Sequence, residues 1–458
     1  MKYTLVGLLM LGLGVGIWLF SSERGQHLVQ TATGHGQRDL VRHALRRLQG
    51  HPSLELAAVP VLHWWQRQIE RDPPAESLPA LGKGQQPQAL PPIHATGEHR
   101  LVVSEIALAQ ALREAQAGAT IEIAPGRYAF DTTLRLGHGG TAREPITLRA
   151  QQPGTAWLAF KQVEGVLVDK PHWVFENLQI EGTCARDDDC EHAFHVVGDA
   201  HHTVIRNNAL RNFNAAVKVN GHQGVWPDHG LLAHNTLVND RPRVTANPVV
   251  MFDLVGADAW VIEDNLVGNF VKQAGNGVSY GLFVKGGSEG ARIERNLVVC
   301  TPRDISQPGV RVGISFGGGR TGAAACRRDG CREHEHRLGL AANNIVAHCN
   351  DSGLDLNHAL DINLVHNTLI NTGGISARDG SSARSAANLI ENGPYLRDAS
   401  NVQSEHDVPL AAVLATVDAD RLRWRPTSST AVPSQVATDF KGRQRPAASS
   451  PGAIDFRD

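Results

Sequence analysis

The stretch VIEDNLV at 261–267 decides the fold, because its frame returns along the chain: apolar residues alternating with polar ones, then Asn265, then another apolar pair. The frame recurs as VFENLQI around Asn177, VIRNNAL at Asn208, LLAHNTL at Asn235, RIERNLV at Asn296, AANNIVA at Asn344, LVHNTLI at Asn367 and SAANLIE at Asn388. Successive asparagines lie 31, 27, 30, 31, 48, 23 and 21 residues apart. A unit of this size that recurs signals stacked repeats, each burying its apolar face against its neighbours.

Within the repeats, AFHVVG, AVKVNG, MFDLVG, LFVKGG and GLDLNH alternate apolar and polar residues and end in Gly or Asn. Period-two alternation with β-branched residues reads as short strands, and Gly or Asn supplies the corners between them. The expectation is an all-β parallel β-helix, a solenoid of short strands. Its repeated Asn is read as architectural: an inward amide satisfies turn backbone groups and stacks on its own copies.

Outside the repeats the chain divides by composition. Residues 3–20 carry no charge, with Lys2 before them and Glu23 and Arg24 after, a run long enough to span a bilayer core. No small-x-small cleavage site follows. Residues 1–22 are therefore expected to be a transmembrane signal anchor, holding the protein in the inner membrane with the rest in the periplasm, or secreted if the segment is cleaved. A helical juxtamembrane segment is expected over 23–72. Residues 73–96 hold six prolines and read as a linker. The β-helix domain is expected over 97–404 and a C-terminal closing segment over 405–458.

The formal net charge of −2 excludes the bulk basic field that drives nucleic-acid binding. Six cysteines fit an oxidising compartment, with Cys184 paired to Cys190 and Cys326 to Cys331 across short loops. Cys300 and Cys349 fall on consecutive repeats, bridged or as buried thiols. A competing reading groups Cys326, Cys331, His334 and His336, or Cys184, Cys190, His192 and His195, as zinc ligands; neither spacing matches a common finger, and disulfides are preferred.

Inward positions are filled by core, so chemistry is expected on the outward side of one strand column. Aligning the strands places His195, Lys218, Asp253, Lys285, Asp355 and Arg378 in that column, with Asn220 and Asn357 beside it. Cationic and anionic groups alternate from coil to coil, a pattern able to grip an acidic sugar chain. The bland reading is a solvated face of cross-coil ion pairs.

Residues 106–128 (IALAQALREAQAGATIEIAPGRY) and 140–154 (GTAREPITLRAQQPG), with the tail DFKGRQRP and PGAIDF, resemble the right-handed parallel β-helix proteins of the pectate-lyase-like superfamily. The pattern is most similar to the chondroitinase B and alginate lyase branch, and the resemblance covers about residues 97–458. It implies a right-handed β-helix whose N-terminal cap helix plugs the coil stack. It also implies β-elimination on a uronic-acid-containing polysaccharide by a monomer, with possible Ca2+ at the uronate carboxylate. Lys285 matches the family's base by position. Arg311 on the next coil, or Lys218, would stabilise the enolate, and Tyr280 would protonate the leaving oxygen. The family's Lys-Ser is Lys-Gly here, and Phe316-Gly317-Gly318 stands where its Arg-His-Gly falls, so Arg311 or Arg320 must substitute. Three alternatives remain: a uronan C5-epimerase, a polygalacturonase-type hydrolase and a non-catalytic carbohydrate-binding or scaffold protein. The hydrolase needs Asp residues clustered on adjacent coils, whereas Asp187, Asp188 and Asp189 fall in the Cys184–Cys190 loop and Asp253 and Asp355 lie too far apart along the stack. The epimerase signature Asp-Pro-His-Asp is absent, and Trp226-Pro227-Asp228-His229 matches it only superficially.

Overall fold

The computed structural model describes residues 81–91, 93, 97–302, 309–318, 321–391, 393–410, 414–418, 422–426 and 431–456, together with helical residues at 41, 58–62 and 64–65. Pro74–Arg303 and Pro308–Asp458 form one compact unit. Of the other, Met1–Pro73 with Asp304–Gln307, only the helical residues just given are described. The expected anchor over 1–22 and Arg320 lie outside the described residues. Among the described residues no helix is long and apolar enough to cross a membrane.

The larger unit is a parallel β-helix. One turn runs from His192–Val197 through Val204–Arg206 and Ala209–Arg211 to Ala215–Asn220, and each of the first three strands belongs to a different sheet. The sheets hold 12, 10 and 11 strands among the described residues, and pairing between coils within them is parallel. Alternation decides which side chains enter the core: Phe194, Val196, Val217, Val219, Phe252, Leu254, Leu282, Val284, Ile314 and Phe316 stack inward, all essentially without exposure. Each such side chain contributes about 1.5–3 kcal/mol by leaving water.

An α-helix, α1 (Glu105–Glu114), starts where Ser104 Oγ accepts the Ala107 N–H at 3.2 Å. It buries Leu108, Ala111 and Leu112 beside the first strands.

The asparagines form a continuous ladder. Asn208, Asn235, Asn265, Asn296, Asn344, Asn367 and Asn388 are all fully buried. Each donates its side-chain amide to the next Oδ1 at 2.9–3.1 Å, and Asn388 donates to Asp407. Asn177 is not a rung. It holds the preceding left-handed position (φ 68°), equivalent to Asn207 and Asp264, and Leu178 takes the ladder position, its N–H donating to Asn208 Oδ1. The frame VFENLQI therefore carries its Asn one residue early.

The linker reading of 73–96 also changes. Residues 81–91 run along the turns beside the ladder: Lys83 pairs with Asp264, Gln85 Nε2 donates to the Leu178 and Asn207 carbonyls, and Arg206 donates to the Pro91 carbonyl. The segment attaches through these polar groups and through Leu81, which packs against the apolar cluster that includes Leu297 and Phe440.

Three disulfides form, Cys184–Cys190, Cys326–Cys331 and Cys300–Cys349. The sulfurs of both proposed zinc clusters are thereby consumed. The Cys300–Cys349 bridge joins consecutive coils across 49 residues of sequence. Replacing both cysteines with Ala is expected to cost about 2–4 kcal/mol, read as a lower urea midpoint; an unchanged midpoint would show that the bridge contributes nothing.

Candidate active site

The 10-stranded sheet carries the candidate column. Its central strands are β1 (Glu164–Val168), β2 (His192–Val197), β3 (Ala215–Asn220), β4 (Val249–Val255), β5 (Val278–Lys285), β6 (Val310–Phe316), β7 (Leu354–Asn357) and β8 (Ile375–Arg378). Register aligns His195, Lys218, Asp253, Phe283, Ser315, Asp355 and Ser376. Lys285 pairs instead with Val255, and Arg378 with Asn357, so both stand in the adjoining column that includes Asn220. The expected single column is thus two, and long side chains close the gap diagonally.

Lys218 Nζ donates to Asp253 Oδ2 at 2.5 Å, and Lys285 Nζ lies 3.5 Å from Asp253 Oδ1. No hydrogen-bond donor reaches Oδ1. Burial raises the Asp253 carboxyl, but the two ammonium groups outweigh it and hold the group below the usual carboxylate range. The result is a buried anion shared by two cations on neighbouring coils.

Lys285 is fixed from two more directions. Its ammonium sits 4.1 Å from the Phe283 ring centroid, and Phe283 stacks on Tyr280 at 4.2 Å. Over them passes Gly318, where a Cβ would come within 2.3 Å of Phe283 and 2.9 Å of Lys285 Cδ. Only glycine allows the backbone this close, which explains Gly318 in the segment where the resembled family has Arg-His-Gly. Burial, then the negative charge of Asp355, push the Tyr280 phenol up to about 12, so it stays protonated near neutrality.

Two further clusters flank this centre. His195 lies between Glu164 Oε1 (2.6 Å, from Nδ1) and Asn220 Oδ1 (2.8 Å, from Nε2). Beside it, burial and then His195 and Lys218 push His192 down to about 4. On the other flank Arg378 grips Asp355 with both nitrogens at 2.7 and 2.9 Å, and Ser315 donates to the same carboxylate at 3.1 Å. Burial leaves the Asp355 carboxyl raised despite Arg378.

Arg311 does not join this group. It is 1 % exposed and pairs in register with Ser279, six residues before Lys285. Being on the next coil is not enough, because position along the strand decides which face-neighbours a side chain meets. Asn357 is likewise buried, at 3 %.

Carboxylates that alternative chemistries require are engaged elsewhere. Asp228, in the Trp226-Pro227-Asp228-His229 stretch, is gripped by Arg327 from the Cys326–Cys331 loop. Asp187 and Asp188 are held by Arg241, Val244 and Thr245. Calcium fits poorly at the column: it requires several oxygen ligands, whereas Asp253 faces two lysines and Asp355 an arginine. Among the described residues no three carboxylates gather within metal-binding reach.

Sequence reasoning missed Glu164, Phe283 and Ser315. A signal for Phe283 existed in the glycines after each strand: three residues before Gly198, Gly221, Gly256 and Gly286 stand His195, Lys218, Asp253 and Phe283.

These features define a parallel β-helix protein with a half-buried ionic column on one sheet. Comparison with solved structures gives the same architecture: the chain is similar to pectate lyase Pel9A at a TM-score of 0.53 and 13 % identity, over 79 % of this chain and 97 % of that one. A rhamnogalacturonan lyase superposes at a TM-score of 0.47 and 12 % identity, over 70 % of this chain and 91 % of the other. The likeness to Pel9A establishes a shared right-handed parallel β-helix fold. No family model and no curated protein sequence matches the chain.

Proposed function

We propose that the chain binds an acidic polysaccharide along this column and cleaves it by β-elimination, as an exported, membrane-anchored monomer. The observation that carries the reading is the convergence of Lys218 and Lys285 on Asp253 beside a protonated Tyr280. A uronate carboxylate entering the column meets the Lys218 ammonium, which is held by the buried Asp253. In the form whose Lys285 amine is neutral, that amine takes the C5 proton, Lys218 stabilises the enolate in place of Arg311, Tyr280 gives its proton to the departing glycosidic oxygen, and Lys285 returns a proton to the Tyr280 phenolate to close the cycle. The fold shared with pectate lyase Pel9A is compatible with this chemistry and does not by itself assign it. The helix α1 closes the first coil in this reading, and disulfide pairing supports a periplasmic location. Protease digestion of intact and ruptured spheroplasts tests that location: protection in intact spheroplasts would exclude it.

The test of activity is ultraviolet absorbance of unsaturated uronate ends while the full-length protein acts on alginate, chondroitin, heparan and pectate. One polymer is expected to yield a rise, and Lys285→Met to lower kcat/KM at least about a hundredfold with polymer binding retained. Undiminished activity in that variant removes Lys285 from the mechanism. Because the ammonium groups supply the positive charge, EDTA is expected to leave the rate unchanged; loss of activity restored by calcium would overturn that part.

A binding-only reading has one observation in its favour: Lys218, Lys285 and Arg378 are all paired with carboxylates at rest. Binding without unsaturated products would select it, and inversion at C5 without chain cleavage would select an epimerase.

A further inference from the structure

Away from the column, the turns that leave the same sheet carry histidines on three successive coils. His172, His202 and His229 all adopt left-handed backbone (φ 56°, 58° and 59°), a conformation costly for a side chain without a local reason. Their positions are set by turn hydrogen bonds: the His172 N–H donates to the His201 carbonyl at 3.0 Å, and the His202 N–H to the Asp228 carbonyl at 2.9 Å. The rings of His172 and His202 stack at 4.8 Å, and His201 stands edge-on to both.

Stacking accounts for ring spacing, and a 2.9 Å hydrogen bond between the Nδ1 atoms of His201 and His202 orients those two rings. One nitrogen from each of His172, His201 and His202 lies within 4.8 Å of the others, so an ion here would take the place of that bond. Two imidazoles bound to one tetrahedral zinc at about 2.0–2.1 Å place their nitrogens roughly 3.3 Å apart, so the His172 and His202 rings, stacked with their planes 21° apart, must turn out of their stack for their lone pairs to converge. The other nitrogen of His201, Nε2, faces the Asp199 carboxylate at 3.8 Å, beyond hydrogen-bond distance. Closing that gap would give the carboxylate–imidazole arrangement that orients a metal-binding ring and raises its basicity. His202 is exposed and the other two rings half-exposed, so an ion can enter from solvent.

The geometry points to a divalent transition-metal site formed by His172, His201 and His202, with Asp199 orienting His201 and solvent completing a tetrahedral set. It is separate from the column and from the two cysteine-histidine groupings that the disulfides consume. A metal here ties two consecutive coils together at their turns, since His172 belongs to one and His201 and His202 to the next.

The test uses untagged, chelator-stripped full-length protein titrated with Co2+ and Zn2+. One equivalent of Co2+ is expected to bind and to develop visible bands of a tetrahedral complex, with Zn2+ displacing it and raising Tm. His172→Gln with His202→Gln should lower affinity by more than a hundredfold, and Asp199→Asn by roughly tenfold, each with an unchanged far-ultraviolet circular dichroism spectrum. Stoichiometric binding that survives the double substitution overturns the site, as does a wild-type chain that binds no ion. If the double variant fails to fold, the Asp199→Asn affinity decides alone.

Discussion

Moving the protein from pH 7 to pH 5 is expected to remove about 6 kcal/mol of folding stability, from two buried histidines and one half-buried, each held neutral and contributing about 2 kcal/mol. Burial, assisted by neighbouring cationic groups, depresses His336 and His366 to about 3 and His192 to about 4. The geometry agrees for His366, whose Nε2 accepts the Gln435 N–H at 3.2 Å, a bond that a protonated ring cannot accept. His336 is fully buried, its Nδ1 at 2.7 Å from Ser288 Oγ. Each folded value lies below the unfolded value near 6.5, so above that pH nothing is lost. Below it the unfolded chain binds protons that the native chain refuses, and the loss grows until the pH reaches the folded values. Asp253, also depressed, adds its loss only in stronger acid, below the unfolded carboxylate value near 3.9. Urea midpoints between pH 7 and 5 check the prediction, together with an uptake of about three protons on unfolding near pH 5. A flat midpoint over that range overturns it.

Asn265→Ala is expected to cost about 3 kcal/mol. The substitution orphans one buried donor, the Asn235 backbone N–H, which gives a 2.8 Å bond to Asn265 Oδ1, and removes one acceptor of the Asn235 side-chain amide, which keeps the Ile205 and Ala233 carbonyls. The orphaned donor alone costs roughly 1–3 kcal/mol. The Leu232 carbonyl and Asn296 Oδ1 also lose a donor. Asn177→Ala provides the contrast, because Asn177 makes one side-chain bond, accepting from Asn207 Nδ2 at 2.7 Å, and stands outside the ladder. Its cost should be about 1 kcal/mol. Equal losses at the two positions would show that the ladder has no special role.

That contrast also marks how far the repeat could be read without coordinates. The period, the strand type and the structural role of the asparagines follow from local pattern, since alternation and Gly or Asn corners act within a few residues. The displacement at Asn177 does not follow: VFENLQI and VIRNNAL look alike until Val174 is seen to pair with Val204. Asp407, which ends the ladder as an acidic residue, carries no repeat signature at all.

The column divides in the same way. His195, Lys218 and Asp253 were legible because their strands end in aligned glycines. Lys285, Arg311 and Arg378 were misplaced because strand lengths and connecting loops vary from coil to coil, and a two-residue offset keeps a side chain on the same face while changing its neighbours.

What the amino-acid sequence determined by itself is therefore the solenoid and its ladder, the disulfide pairs in the short loops, and the outward placement of alternating charges. Those depend on periodicity and on short loop closure, which act within one repeat. Tertiary structure decided that Lys285 reaches Asp253 from the adjoining column, that Arg311 is buried away from it, and that three turn histidines converge. These depend on how coils stack in register, and no single repeat contains that information.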